Sequence, residues 1–171
     1  HRSGAGPFLT EASGTDAELY AIAGSSPGEL YAVGERTTIL HRTAGSWKKE
    51  GAELMQTAGL FGLAVLSTGE VLAVGENGLI ARRQTAGVWI KEDTTVAALA
   101  TASFRAIACP TATDCFAVGR DGVIARRGSG GKWDVDSVPV DAAAKGSYYA
   151  IAVLGQGASQ SVWAAGELGL V

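Results

Sequence analysis

The triplet Ala-Val-Gly returns at 32–34, 73–75 and 117–119, and Ala-Ala-Gly stands at 164–166. Its glycines, Gly34, Gly75, Gly119 and Gly166, are separated by 41, 44 and 47 residues. Apolar runs precede them at 19–23 (LYAIA), 60–64 (LFGLA), 104–108 (FRAIA) and 148–152 (YYAIA), and Trp47, Trp89 and Trp133 follow the first three. Landmarks recurring in one order at a period near 44 mark a repeat array. No other feature restricts the fold as strongly, because each unit must bury its apolar face against the next.

Each unit reads as short strands broken by turn chemistry. A small apolar strand comes first, then an alternating strand ending at the glycine (ELYAVG, EVLAVG, DCFAVG). A turn follows (GERT, GENG, GRDG, GELG), then a third strand (TILHR, LIARR, VIARR) and a fourth that carries the Trp. Four antiparallel strands in about 44 residues form a β-propeller blade. With 24 glycines and only 18% charged residues, a helical bundle is a poor alternative. The expected fold is therefore all-β, a propeller of about four blades within a single domain, 1–171. The blades fall at 14–51, 52–93, 94–137 and 138–171, with 1–13 completing or belonging to the adjoining blade. The joins 94–103 and 138–147 read as loop or a helical turn. Expected core positions are Ile22, Leu63, Ile107 and Ile151, Val33, Val74 and Val118, and the Trp set with Phe8 and Trp163.

The start of the chain, HRSGAGPFLTE, matches HRTAGSWKKEG at 41–51, so it opens at the end of a third strand. Two arrangements follow: a closed four-blade ring, or a window on a longer propeller, which we favour. The chain has no initiator Met and no signal peptide of its own, so it is expected to begin inside a longer precursor.

The units GENGLIARRQTAGVW and GRDGVIARRGSGGKW resemble the repeats of the photosystem II assembly/stability-factor propellers, which belong with the bacterial neuraminidase-repeat (Asp-box) group. The turns before the Trp read TAGSW, TAGVW and SGGKW, without the Asp of the Asp-box, so the resemblance speaks for architecture. It implies an arginine-rich patch that contacts a client protein. CPTATDCFAVG (109–119) is similar to a cysteine-bearing hairpin of secreted bacterial propellers.

The glycine turns suggest a phosphate cradle, yet each leads into a β-branched strand, so they read as hairpin glycines with φ > 0. Cys109 and Cys115 lie on adjacent strands by register and read as a disulfide, with two reduced core thiols as the alternative. Two histidines and two cysteines in the whole chain make no four-ligand zinc site. A disulfide points to an oxidising setting, whether secreted, cell-surface or periplasmic.

Arg42, Arg83 and Arg127 align in the third strands with Arg2, and His41, Arg82 and Arg126 align one residue earlier. Arg42, Arg82, Arg83, Arg126 and Arg127 are the candidate partner-binding residues, since guanidinium groups grip carboxylates bidentately. Their bland reading is edge arginines whose stems cover apolar surface. Glu35, Glu76 and Glu167 share a turn position, occupied by Arg120 in the odd blade. Symmetric repetition of that kind suits scaffold better than catalysis, and Tyr20 and Tyr149 read as packing residues. No catalytic, cofactor-binding or metal-binding residue is assigned, and no cofactor is expected. The net charge of −3 gives no case for nucleic acid, and no apolar run spans a membrane. The expected function is a non-catalytic protein-interaction, assembly or accessory-subunit module whose partner is another protein or complex. A glycan-binding, lectin-like propeller and a sialidase-like glycoside hydrolase fragment are the alternatives.

Overall fold

A computed structural model of the chain describes residues 1–2, 4–94, 96–136, 146–155 and 157–169. The first sheet is β1 (Leu19–Ser26), β2 (Glu29–Gly34), β3 (Ile39–Thr43) and β4 (Ser46–Glu50), paired in that order and antiparallel. The second is β5 (Leu60–Val65), β6 (Val71–Gly75), β7 (Ile80–Arg83) and β8 (Trp89–Lys91). The third repeats the order with β9 (Phe104–Thr111), β10 (Asp114–Gly119), β11 (Ile124–Arg127) and β12 (Trp133–Val135). Among the described residues the last sheet has two strands, β13 (Tyr148–Leu154) and β14 (Ser161–Gly166).

The first strands β1, β5, β9 and β13 stand side by side in chain order, each packed on the next. Sheets succeeding one another around such an inner row are propeller blades. Stacking also explains why the second strands lack polar residues at alternate positions. In β6, Val71 and Ala73 face the first sheet while Leu72 and Val74 face the third, and all four are buried. A strand covered on both faces reads as a continuous apolar run. Each such Leu or Val stabilises the stack by about 1.5–3 kcal/mol. Trp89 and Trp133, both fully buried, fill the outer part of the two interfaces.

The glycines of the Ala-Val-Gly triplets have a different reason from the one expected. Gly34 and Gly119 are extended, at φ −168° and −169°, which any residue can adopt. What excludes a side chain is crowding: a Cβ at Gly34, Gly75, Gly119 or Gly166 would overlap the carbonyl oxygen of Glu18, Gly59, Ser103 or Ser147. Positive φ belongs to the next glycine along, Gly78 (+65°), Gly122 (+71°) and Gly169 (+71°). The first blade makes that turn with Thr37 at +53°.

Val33, Val74 and Val118 are buried as expected, whereas Leu63, Ile107 and Ile151 are only partly so. Ile22, Phe8 and Trp163 do not lie in the core: they are 65, 78 and 54% exposed. Trp163 occupies the β14 position at which Tyr31, Leu72 and Phe116 meet the following sheet, and no further sheet follows among the described residues. Ile22 lies on the opposite flank, lining a cavity of about 510 Å³ between the first sheet and residues 1–13. The join at 94–103 contains a short turn at Ala97–Leu99 whose Leu99 is buried. Most of the 138–147 join, and residue 171, needed to judge ring closure by the distance between chain ends, lie outside the described residues.

Candidate functional site

The aligned arginines are turned inward to the blade interfaces. Arg83 on β7 donates from Nε to Glu50 Oε2 at 2.8 Å and from Nη2 to Glu50 Oε1 at 3.2 Å, across from the second blade to the first. Trp89 Nε1 donates to the same carboxylate at 3.0 Å, and the Arg83 guanidinium lies 5.4 Å from the Tyr31 ring centre. The third blade repeats this on Glu92. It accepts Arg127 Nε and Nη2 at 3.0 and 3.1 Å and Trp133 Nε1 at 2.6 Å. In the first blade Arg42 and Trp47 hold Glu11 of the N-terminal segment, at 2.8 Å from Nη2 and 3.0 Å from Nε1. A carboxylate at the end of one blade thus clamps the Arg and Trp of the next, three times over.

The geometry accounts for the titration of these groups. Burial alone would raise the Glu50 carboxyl, but hydrogen bonds from Arg83, Trp89 and His41 outweigh it and hold it below its ordinary value. Arg42, then Trp47, lower Glu11 in the same way. Arg42, Arg83 and Arg127 therefore have their guanidinium groups committed within the chain. The clamping acids were missed in the sequence although the signal is there: each follows the aromatic by three residues, as in Phe8/Glu11, Trp47/Glu50 and Trp89/Glu92. Asp136 holds the same place after Trp133.

The neighbouring row is also paired. Arg82 donates to Glu70 and Glu92, both at 2.5 Å, and His41 sits 2.8 Å from Glu50 and 2.7 Å from Glu29. Arg126 bonds Asp114 at 2.8 Å but keeps a half-exposed side chain. Cys109 and Cys115 form a disulfide between β9 and β10.

A second row lies where the inner strands begin. Tyr20, Phe61, Arg105 and Tyr149 hold equivalent positions on the successive inner strands β1, β5, β9 and β13. Tyr20 stacks on Phe61 with ring centres 5.0 Å apart, and the Arg105 guanidinium lies 3.9 Å from the centre of Phe61. Tyr20 and Tyr149 are exposed rather than packed, a correction to their expected role. Side chains alternate along a strand, so while Leu60 and Phe104 at the preceding position are buried, the next position turns to the rim and meets its neighbours there. Tyr149 donates from its hydroxyl to Glu167 Oε1 at 2.5 Å, a Tyr–Glu pair not anticipated from the sequence. That bond raises the Tyr149 pKa, the reverse of what an activated phenolate nucleophile needs.

The rim carries Arg36 in the first blade, paired with Glu35 at 3.8 Å, and Arg105 and Arg120 in the third. Desolvation, then the like charge of Arg120, lowers the Arg105 pKa. Among the described residues neither makes an ion pair, although Glu76 acts on Arg105 at longer range.

Stacked four-stranded antiparallel sheets around an inner row define a β-propeller, here a non-helical repeat array with one rim of aromatic and charged side chains. No protein-family model matches the sequence, and no curated protein matches it at a significant level. Among solved structures the fold is similar to YCF48 from Cyanidioschyzon merolae, with a TM-score of 0.64, 15% identity, and 90% of this chain matched to 57% of that one. It is also similar to YCF48 bound to a D1 peptide, with a TM-score of 0.59, 18% identity, and 75% of this chain matched to 45% of that one. The chain spans about half the length of these structures. No helix among the described residues is long and apolar enough to cross a membrane.

Proposed function

We propose that the chain is a non-catalytic protein-binding propeller, an assembly or accessory module, that meets a polypeptide at the rim of its inner strands. One observation carries this reading: Tyr20, Phe61, Arg105 and Tyr149 form an aromatic and cationic row on the rim, while Arg42, Arg82, Arg83 and Arg127 serve the scaffold. Exposed aromatics and arginine are the side chains that dominate protein interfaces. The likeness to a propeller solved with a bound peptide supports the same face of the argument. Within this reading Arg126 is the member of the aligned arginines left to touch a partner: all five are held by carboxylates, but its side chain stays half-exposed while those of Arg42, Arg82, Arg83 and Arg127 are largely covered. The Cys109–Cys115 bridge supports an oxidising, secreted or periplasmic setting.

A peptide array probed with the purified chain tests the assignment. Binding should fall about tenfold or more on Tyr149→Ala or Phe61→Ala, the loss expected for an interface anchor, with the urea midpoint held. Peptides bound equally by the parent and both variants would remove the rim from the function. Sugars in place of peptides as the ligands retained would favour the glycan reading, for which Tyr20 and Phe61 beside Glu35 and Glu76 are the residues to replace.

A further inference from the structure

The rim has a repeated internal bond that one blade lacks. The turn glutamate after each second strand reaches back to the backbone N–H just before the first strand. Glu35 accepts from Glu18 N at 3.5 Å, Glu76 from Gly59 N at 3.3 Å and Glu167 from Ser147 N at 3.0 Å. In the third blade the turn residue is Arg120 and the backbone donor is Ser103. A guanidinium cannot accept a hydrogen bond. Among the described residues Ser103 N–H has no acceptor, although the Ser103 carbonyl is bonded by Arg120 N at 2.9 Å as the pattern requires.

The inner-strand position changes in the same blade and in the same sense. Where the other blades have Tyr20, Phe61 and Tyr149, the third has Arg105, fixed by its stack on Phe61. So one carboxylate is missing and two positive charges are added around the donor it would have met. The two guanidinium groups repel each other, and neither is neutralised by an ion pair among the described residues. Arg120 and Ser103 line a cavity of about 420 Å³ with Ala98, Thr101, Asp121 and Val123, and Arg105 holds the position from which Tyr149 reaches the turn glutamate Glu167 in the fourth blade. Asp121 makes no hydrogen bond to Ser103 N–H or to either arginine among the described residues.

We propose that Arg105, Arg120 and the Ser103 N–H bind a carboxylate of another polypeptide, which takes the place a glutamate side chain fills in the other blades. The proposal rests on the reading of this rim as a polypeptide-binding face and names the chemistry it selects. Two guanidinium groups supply charge-assisted donors, and the backbone N–H fixes the direction of approach. Free C-termini and Asp or Glu side chains present the same group.

Amide NMR of the full chain tests it without a known partner. N-acetyl-glycyl-phenylalanine probes a terminal carboxylate, N-acetyl-glutamate N-methylamide a side-chain one, and N-acetyl-glycyl-phenylalaninamide is the neutral control. Either acid should shift the Ser103 amide saturably while the neutral amide does not; whichever acid binds more tightly identifies the source. Arg120→Glu restores the residue of the other blades and should fold at least as well, yet weaken binding at least about tenfold through loss of a charged hydrogen bond. Arg105→Phe should weaken it without unfolding. A Ser103 amide indifferent to both acids, or equally responsive in Arg120→Glu, overturns the proposal. Peptide-array binding that persists in that event leaves the wider reading intact. A responsive Ser103 with no peptide retained on the array would instead keep the carboxylate site and sink the polypeptide reading.

Discussion

Glu92→Ala is the sharpest test of what holds the blades together. The carboxylate is almost fully buried and accepts two hydrogen bonds from Arg127, one from Trp133 and one from Arg82. Arg82 keeps Glu70 after the change, but the buried Trp133 indole N–H loses its acceptor and Arg127 loses its carboxylate, keeping only the Ala112 carbonyl. Removing one member of a buried pair costs about 3–5 kcal/mol, because the remaining charge stays desolvated. For a chain of this size that lowers the melting temperature by roughly 6–20 °C. Urea unfolding followed by tryptophan fluorescence reads the loss directly, since Trp133 reports on the interface itself. Arg127→Leu added to Glu92→Ala should recover part of it by removing the stranded guanidinium. The same alanine change at Glu11 is the internal control: its bonds to Arg42 and Trp47 have the same chemistry but the Glu11 side chain is 28% exposed against 5% for Glu92, so its effect should be smaller. A Glu92→Ala loss below about 1 kcal/mol, or one no larger than that of Glu11→Ala, would refute the claim that the burial of the clamp sets its strength.

Two further outcomes follow from the same contacts. Reduction, or Cys109→Ser with Cys115→Ser, opens a short loop and should cost about 2 kcal/mol on the chain-entropy account, measured as the difference in urea midpoint between oxidised and reduced protein. The depressed pKa values of Glu50, Glu29 and Asp114 make stability acid-sensitive. Their contribution is complete above the ordinary carboxylate value and is lost as pH falls through the lowered folded values. Urea midpoints should therefore fall steeply towards about pH 3, and Glu50→Gln should flatten that slope; a parallel slope in the variant would clear Glu50 of the effect.

Much of the architecture was legible because repetition amplifies weak signals. A lone apolar pentamer such as FRAIA is ambiguous, but four of them in register with glycine and tryptophan are not. The clamp was half legible. Arg83 and Arg127 were visible as a row, but a row alone does not show whether guanidinium groups point to solvent or to a neighbour. Their acids, Glu50 and Glu92, stand more than thirty residues away in the preceding unit, so pairing them requires the stacking of blades. The rim shows the same divide. Arg120 was recognisable as the odd residue in its column, while its meaning depended on the backbone N–H of Ser103, which no side-chain pattern records.

The sequence by itself determined the repeat, the four-strand unit and the burial of the Ala-Val-Gly strands, since period and hydrophobicity are local properties. Tertiary structure alone decided that the triplet glycines answer to a carbonyl oxygen and that three arginines are mortar. It also decided that Trp163 and Ile22 stand exposed and that Arg105 lies over the ring of Phe61. Each of these turns on which groups from different units come within a few ångströms, and distance across a blade interface is not written along the chain.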